Sequence, residues 1–396
     1  MAERHSGIAA VVTYLICLGV VTMLPVAAPA ATITVNTTAD DSTDDNSQCT
    51  LREALANVNA AADTTNGDCA AGTGTGDTVI FGLTLPAKIT LALGALVVAQ
   101  DVTIVGPATG SLRISGKGAS RVLHFTSGTS SVSDLTIEKG SAASGGAIVN
   151  EGVLTLTNCL LKGSRGVGIS NVGTMTLSNC TLKGNRGGIG NAGTMSLANC
   201  TLQGNKGGQG GAIHNQGTLS LTNCTLERNK ARFGVGGGIL NIGTLTLTNC
   251  TLNRNTAYAG KGSLGGGGIW HFSGGTATLT NTIIANSGKG GDCAGDPVTS
   301  NGHNLSSDGS CFMSGGTDLP NTDPLLAKFA NYGGSTDTLA LCSAPGVPSA
   351  RCTGTSPAID AGDDTVTGPP DNLTTDQRGL PRQAGLHVDI GAYEAQ

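Results

Sequence analysis

An Asn-Cys pair returns five times through the middle of the chain, and its cysteines, Cys159, Cys180, Cys200, Cys224 and Cys250, lie 21, 20, 24 and 26 residues apart. A sixth copy, GIWHFSGGTATLTNTIIAN from Gly268 to Asn286, carries Thr282 at the cysteine position. Each copy keeps one order of features, as in GGAIHNQGTLSLTNCTLERN from Gly210 to Asn229: glycines, a short apolar run, alternating Thr and Leu, then Asn-Cys. A repeat of this length cannot bury its own apolar face. It must stack on its neighbours, which makes the chain a solenoid.

The period inside one repeat decides which solenoid. Leu219 and Leu221 alternate with Ser220 and Thr222, the period of two of a strand with one face buried. A helical face would need spacings of three and four, so helical repeats are excluded. After Thr222 the alternation slips at Asn223 and resumes with Cys224 and Leu226 on the apolar side. One odd residue between two strands turns the chain, and Asn tolerates the left-handed backbone that such a bend requires. Asn158, Asn179, Asn199, Asn223, Asn249 and Asn281 are therefore expected to form a ladder of corners. Each repeat reads as three short strands, and the stack as an all-β, right-handed parallel β-helix with three sides. The 62 glycines, 3% aromatic and 12% charged residues suit a narrow β interior with many tight corners.

Eleven cysteines remain once Cys17, in the N-terminal apolar run, is set aside. Cys49 with Cys69, Cys293 with Cys311 and Cys342 with Cys352 are local pairs outside the repeats, expected to be disulfide staples of an oxidising compartment. The five repeat cysteines are expected to stack inward as small hydrophobes. Thiols aligned in parallel, one per coil, do not converge on a point, so no metal site is expected, and no cofactor. The Asn-Cys-Thr sequons fall on corners and are discounted as glycosylation sites, with Asn304 and Asn372 in loops better suited to it.

Arg4 precedes an apolar run from Ile8 to Leu24 and then Ala28-Pro29-Ala30, which fits a cleaved export signal. The reading is a signal peptide over 1–30, an N-terminal cap over 31–85, repeats over 86–287 and a C-terminal closing module over 288–396. The mature chain has no other apolar stretch able to span a bilayer. Within the cap, CTLREALANVNAA from Cys49 to Ala61 predicts a short helix, with Thr50 and Glu53 as a capping box and Leu51, Leu55 and Val58 on one face. Such a helix would cover the open end of the solenoid core.

These segments also carry a resemblance. CTLREA resembles the signature of the bacterial CSLREA domain, with Thr50 in place of its serine. The repeats resemble those of chlamydial-type polymorphic outer-membrane proteins. The tail, from GGDCAG through NGHNLSS, SPAID and DQRGLPR to VDIGAYE, is similar to the choice-of-anchor Q module. The resemblance implies an exported bacterial β-helix. Polymorphic membrane proteins end in an outer-membrane barrel, but 288–396 offers no set of strands of about ten alternating residues. Secretion, or loose association with the cell surface, is expected instead.

Three functions compete. Many parallel β-helices cleave polysaccharides, and the β-helical pectate lyases carry acidic Ca²⁺ ligands and a base on the outer face of one sheet. Here the outward row of the first strand reads Val149, Ser170, Gly190, His214, Leu240 and Trp270, and that of the second reads Thr155, Thr176, Ser196, Ser220, Thr246 and Thr278. Neither row holds a carboxylate, so no catalytic residue is assigned, and a carbohydrate-active enzyme is the alternative rather than the first reading. The first reading is a non-enzymatic surface or matrix binder of adhesin-like or structural character. Arg232, Phe233, Tyr258, Trp270 and His271, with Lys230, Lys261 and Phe272, would gather around one glycan-binding groove. Regular threonine files also suit ice binding, although Thr is favoured on any exposed strand. The net charge of -5 and the lack of Lys/Arg clusters interleaved with aromatics argue against nucleic acid. The expected partners are extracellular glycans or cell-surface components.

Overall fold

The computed structural model describes residues 29–43, 45–258, 265–311 and 316–396. The expected signal segment falls almost wholly outside them, as does Lys261. Over the described residues the chain winds into a parallel β-solenoid with three long sheets: a first of nine strands, a second of eleven and a third of ten. One coil comprises Ile213–Asn215, Thr218–Thr222 and Thr225–Glu227. Register is strict, because a slip of one residue would turn every leucine outward. Leu219 pairs with Met195 and Leu245, and Leu221 with Leu197 and Leu247. All are buried, each contributing about 1.5–3 kcal/mol.

The second sheet begins at Thr32–Val35 and ends at Thr299–Ser300, and the third ends at Leu305–Ser306. The coil geometry therefore runs beyond 86–287 at both ends. A further sheet of three two-residue strands, Lys206–Gly207, Lys230–Ala231 and Thr256–Ala257, follows the third corner. It forms the root of the glycine-rich arms that lead back to the first sheet.

The corners have separate physical causes. At the second, Asn158, Asn179, Asn199, Asn223, Asn249 and Asn281 adopt φ of 48° to 55°, the left-handed region that Asn tolerates. At the first, the backbones of successive coils touch. A Cβ on Gly217 would lie 2.0 Å from the carbonyl oxygen of Gly193.

The interior is not purely apolar. Five successive first strands end in a buried asparagine, Asn150, Asn171, Asn191, Asn215 and Asn241, and the Nδ2 groups of the first four donate at 2.8–2.9 Å to the Oδ1 of the asparagine one coil on. A second ladder, Asn185, Asn205, Asn229 and Asn255, lines the third corner, and there each Oδ1 also accepts a backbone N–H from the preceding coil. Buried amides are tolerable because every rung satisfies the next.

The five cysteines are buried, but they act as more than small hydrophobes. Cys180, Cys200 and Cys224 donate Sγ–H to the carbonyls of Ser178, Ala198 and Thr222 at 3.2–3.3 Å. The amides of Cys180 and Cys200 donate at 3.4 Å to the Sγ of the next cysteine. The thiol thus gives the corner amide an acceptor, whereas the carbonyls it donates to already accept backbone amides, as Thr222 does from Asn199 at 3.1 Å.

Helix α1 (Leu51–Ala60) has the full capping box: Thr50 Oγ1 accepts from the Glu53 amide at 3.1 Å, and Glu53 Oε2 accepts from the Thr50 amide at 2.9 Å. It packs Leu51, Leu55 and Val58 against the first-coil strands Thr32–Val35 and Leu96–Val98. Arg52 is tied to Asp40 at 2.8 Å and to the carbonyls of Gly94 and Ala95, which makes it a fastener of the cap. Disulfides join Cys49 to Cys69, Cys293 to Cys311 and Cys342 to Cys352.

The C-terminal module closes a flank of the solenoid. Its apolar residues, including Leu326, Leu339, Leu341, Ile390 and Tyr393, form a second core with Ile283, Ala285 and Leu305 of the third sheet. Gln377 bonds Thr201 and Thr225 at 2.9 and 2.6 Å, and Arg382 donates to Asn223 Oδ1 at 2.6 Å. The amides of Asn223 and Asn281 donate to the carbonyls of Thr375 and Asp363 in this module, not to neighbouring coils. Asn304 is no loop sequon: it is buried, and its Nδ2 donates to Leu279 and Gly302 carbonyls. Asn372 is exposed.

Candidate functional site

Neither outward row read from the repeats makes a bare, reactive wall. Val149, Ser170, Gly190, His214, Leu240 and Trp270 do lie in register. However, Val149 and Leu240 are buried, because arm glycines such as Gly145 and Gly236 press against this row. Burial also lowers the His214 pKa below its ordinary value, with its Nε2 enclosed and unpartnered among the described residues. The second-sheet row stays at the surface as a file of hydroxyls, joined at one rung by Ser196 Oγ donating to Thr176 Oγ1 at 3.3 Å.

The five residues expected to share a groove divide into separate groups. Trp270 meets Phe272 edge-on, with ring centroids 5.7 Å apart. Tyr258 lies under Lys230 Nζ at 4.1 Å and Lys289 Nζ at 5.7 Å. Arg232 and Phe233 line a groove of about 350 Å³ with Arg186, Lys206 and the backbone of Gly166, Gly207 and Gly208. His271 is removed from the set. It is 5% exposed and terminates the first asparagine ladder, with Nδ1 3.1 Å from Asn241 Nδ2. The strand alternates regularly, Ile269 in, Trp270 out and His271 in, and His271 takes the inward place that asparagine holds in earlier coils.

A larger groove, about 450 Å³, lies on the outer face of the third sheet, which neither row samples. Its floor is Asn158, Leu160, Asn179, Thr181, Lys183, Thr201 and Gln203. One end is walled by Thr109, whose hydroxyl bonds the carbonyl of Asn158, and the other by Ser335, Thr336 and Asp337 of the C-terminal module. The module wall is fixed by Thr336 Oγ1, which donates to the Asn199 carbonyl at 3.0 Å. Asp134, at the Thr109 end, accepts from Asn158 Nδ2 at 3.1 Å.

This lining is rich in hydroxyls and amides, the groups that pair with sugar hydroxyls. Its two acids stand at opposite ends. Asp134 is three rungs below Asn199, which carries the Asp337 side, so about 14 Å separates the ends at the usual strand spacing. The acid pairs of glycosidases stand about 5–9.5 Å apart. Below the groove, Glu138 is buried between Lys88 at 3.7 Å and Lys162 at 3.5 Å, which occupies it as an ion-pair centre. Among the described residues no group of three metal-ligating side chains converges.

The single-repeat reading missed this groove because the Thr109 turn and the Ser335–Asp337 segment are distant in sequence. It also missed Arg186 and Lys206, although a cation follows the third-corner residue in LKGSR, LKGNR, LQGNK and LERNK.

A family model described as a right handed beta helix region matches residues 121–287. No curated protein matches. Among solved structures, the chain is similar to the pectate lyase Pel9A, at 14% identity and a TM-score of 0.47 over 93% of this chain and 97% of that one. It is also similar to a pectin methylesterase solved with a hexasaccharide, at 12% identity and a TM-score of 0.35 over 67% of this chain and 80% of that one. A third, ORF18 of Geobacillus virus E2, has 12% identity and a TM-score of 0.30, covering 68% and 59%. The solenoid of this chain is a right-handed parallel β-helix.

Proposed function

We propose that this chain is an exported, non-enzymatic glycan-binding scaffold, in which the groove over the third sheet holds a segment of an extracellular polysaccharide. The observation that carries the reading is the floor of that groove. Thr181, Lys183, Gln203 and the corner residues Asn158 and Asn179 present a fixed array of donors and acceptors, held on rigid strands between two walls, while the buried Thr201 is taken up by Gln377. Such pre-organisation lowers the ordering cost of binding a flexible sugar chain. The wide separation of Asp134 and Asp337 supports binding over hydrolysis.

Export is supported by the N-terminal Ile8–Leu24 run, by the three disulfides and by the CTLREA and C-terminal resemblances to bacterial surface proteins. Among the described residues no helix is long and apolar enough to cross a membrane.

A glycan-array screen of the wild type, Thr181→Tyr, Gln203→Ala and Trp270→Ala tests the site. The expected result is a defined set of bound glycans, lost on Thr181→Tyr and weakened on Gln203→Ala, but kept on Trp270→Ala. Loss on Trp270→Ala alone would move the site to the first sheet, and no bound glycan would sink the reading.

A further inference from the structure

The net charge of the whole chain conceals a division. Between residues 139 and 290 there are twelve Lys/Arg and only two acids, Glu151 and Glu227. Glu227 is buried and paired with Arg228 at 3.2 Å, and Glu151 lies against His124 at 3.1 Å. The repeats are thus strongly cationic, and the rest of the chain strongly anionic.

The cations are ordered. Lys206 pairs with Lys230 in register. The Lys206 amide donates to the Asn185 carbonyl at 2.8 Å, and the Arg186 amide to Ser164 at 3.0 Å, which places Arg186 and Arg165 on the two preceding rungs. Four successive coils therefore present Arg165, Arg186, Lys206 and Lys230 in one file, about 4.8 Å apart. Arg165, Arg186 and Lys206 are exposed. Among the described residues none of the four makes a salt bridge, and like charges on facing strand positions cost stability. Beside the file, Phe233 is 87% exposed in the groove that Arg186, Lys206 and Arg232 share, and Tyr258 lies beneath Lys230 and Lys289.

We infer that this edge of the solenoid binds an acidic polysaccharide, with one anionic sugar per rung and Phe233 stacked on a ring face. A linear file with a charge at every rung matches an extended polymer bearing a carboxylate or sulfate on each sugar. The two separated rings, Phe233 and Tyr258, do not make the continuous platform on which successive bases stack. The surface lies around the third corner from the groove described above. Its evidence is independent of the glycan reading of that groove.

The test is titration of the full chain with polygalacturonate across a salt series, beside its fully methyl-esterified form, a single-stranded oligodeoxynucleotide and anionic vesicles. The variants are Arg186→Gln with Lys206→Gln, Phe233→Ala, and Thr181→Tyr, which obstructs only the groove. Polygalacturonate is expected to bind with a steep salt dependence and the neutral ester weakly or not at all. The double variant should weaken binding about tenfold or more and reduce the salt slope by about two. Phe233→Ala should weaken binding with the slope unchanged, and Thr181→Tyr should bind as wild type. Equal binding of the neutral ester, an unchanged slope in the double variant, or tighter binding of the oligonucleotide or vesicles would overturn the inference. Loss on Thr181→Tyr alone would assign the acidic polymer to the groove instead.

Discussion

The amide of Cys250 donates to Thr282 Oγ1 at 3.4 Å, and Thr282 Oγ1 in turn donates to the carbonyl of Thr280 at 3.0 Å. The hydroxyl thereby does on the sixth repeat what thiols do on earlier ones, where Cys224 Sγ accepts from the Cys200 amide at 3.4 Å and donates to Thr222 at 3.2 Å. What the position requires is a small side chain that both accepts and donates, with apolar bulk to spare.

Cys224→Ser should therefore be tolerated far better than Cys224→Ala, which leaves the buried Cys200 amide unpaired at about 1–3 kcal/mol. Urea unfolding of the two variants would measure the difference. Burial raises the thiol pKa of Cys180, Cys200 and Cys224 well above the ordinary value, and the hydrogen bond with Cys180, with burial after it, does so for Cys159, so these thiols should stay silent toward an aromatic disulfide reagent until the chain unfolds.

Asn205 Oδ1 accepts both the backbone and the side-chain N–H of Asn185, at 3.0 and 3.1 Å, while its own Nδ2 reaches Asn229 Oδ1 at 3.0 Å. Asn205→Leu keeps the volume but strands donors and an acceptor inside the solenoid. The expected loss is about 2 kcal/mol or more. Gln216→Leu, at an exposed residue, should cost little, and thermal denaturation of the two variants makes the comparison.

The three-strand coil, its corners and the helix cap were legible because each leaves a local mark: the period of two around Leu219 and Leu221, the odd residue Asn223, and the Thr50–Glu53 spacing. Asn150 and Asn185 were not legible as interior residues. Within a single repeat a buried asparagine looks like any turn residue, and only the register between coils supplies its partner. Arg382 is similar: a charged side chain in a loop-rich tail gives no sign that it will be fully buried against Asn223. The groove walls follow from that docking.

Docking of the C-terminal module should depend on pH. Burial raises Glu394 to about 7 and Asp389 to about 6, against ordinary values of 4.5 and 3.8. With folded pKa values above the unfolded ones, the folded state retains protons that the unfolded chain has released. The stability these groups confer is full below the unfolded values and falls as pH rises through about 6 to 7. The melting midpoint should accordingly be higher at about pH 5 than at about pH 8. Glu394→Gln should flatten that slope even where its own midpoint is lower, and an unchanged slope would remove these carboxyls as its source.

The central claim is that the solenoid binds glycan without turning it over. The direct measurement is prolonged incubation of the purified chain with an array-positive glycan and with polygalacturonate, following binding by calorimetry and cleavage by ultraviolet absorbance of unsaturated sugars and by new reducing ends. A saturable isotherm with neither product accumulating is the predicted result. Products that accumulate in proportion to protein and time, and vanish on mutation of a groove acid such as Asp134→Asn or Asp337→Asn, would contradict it.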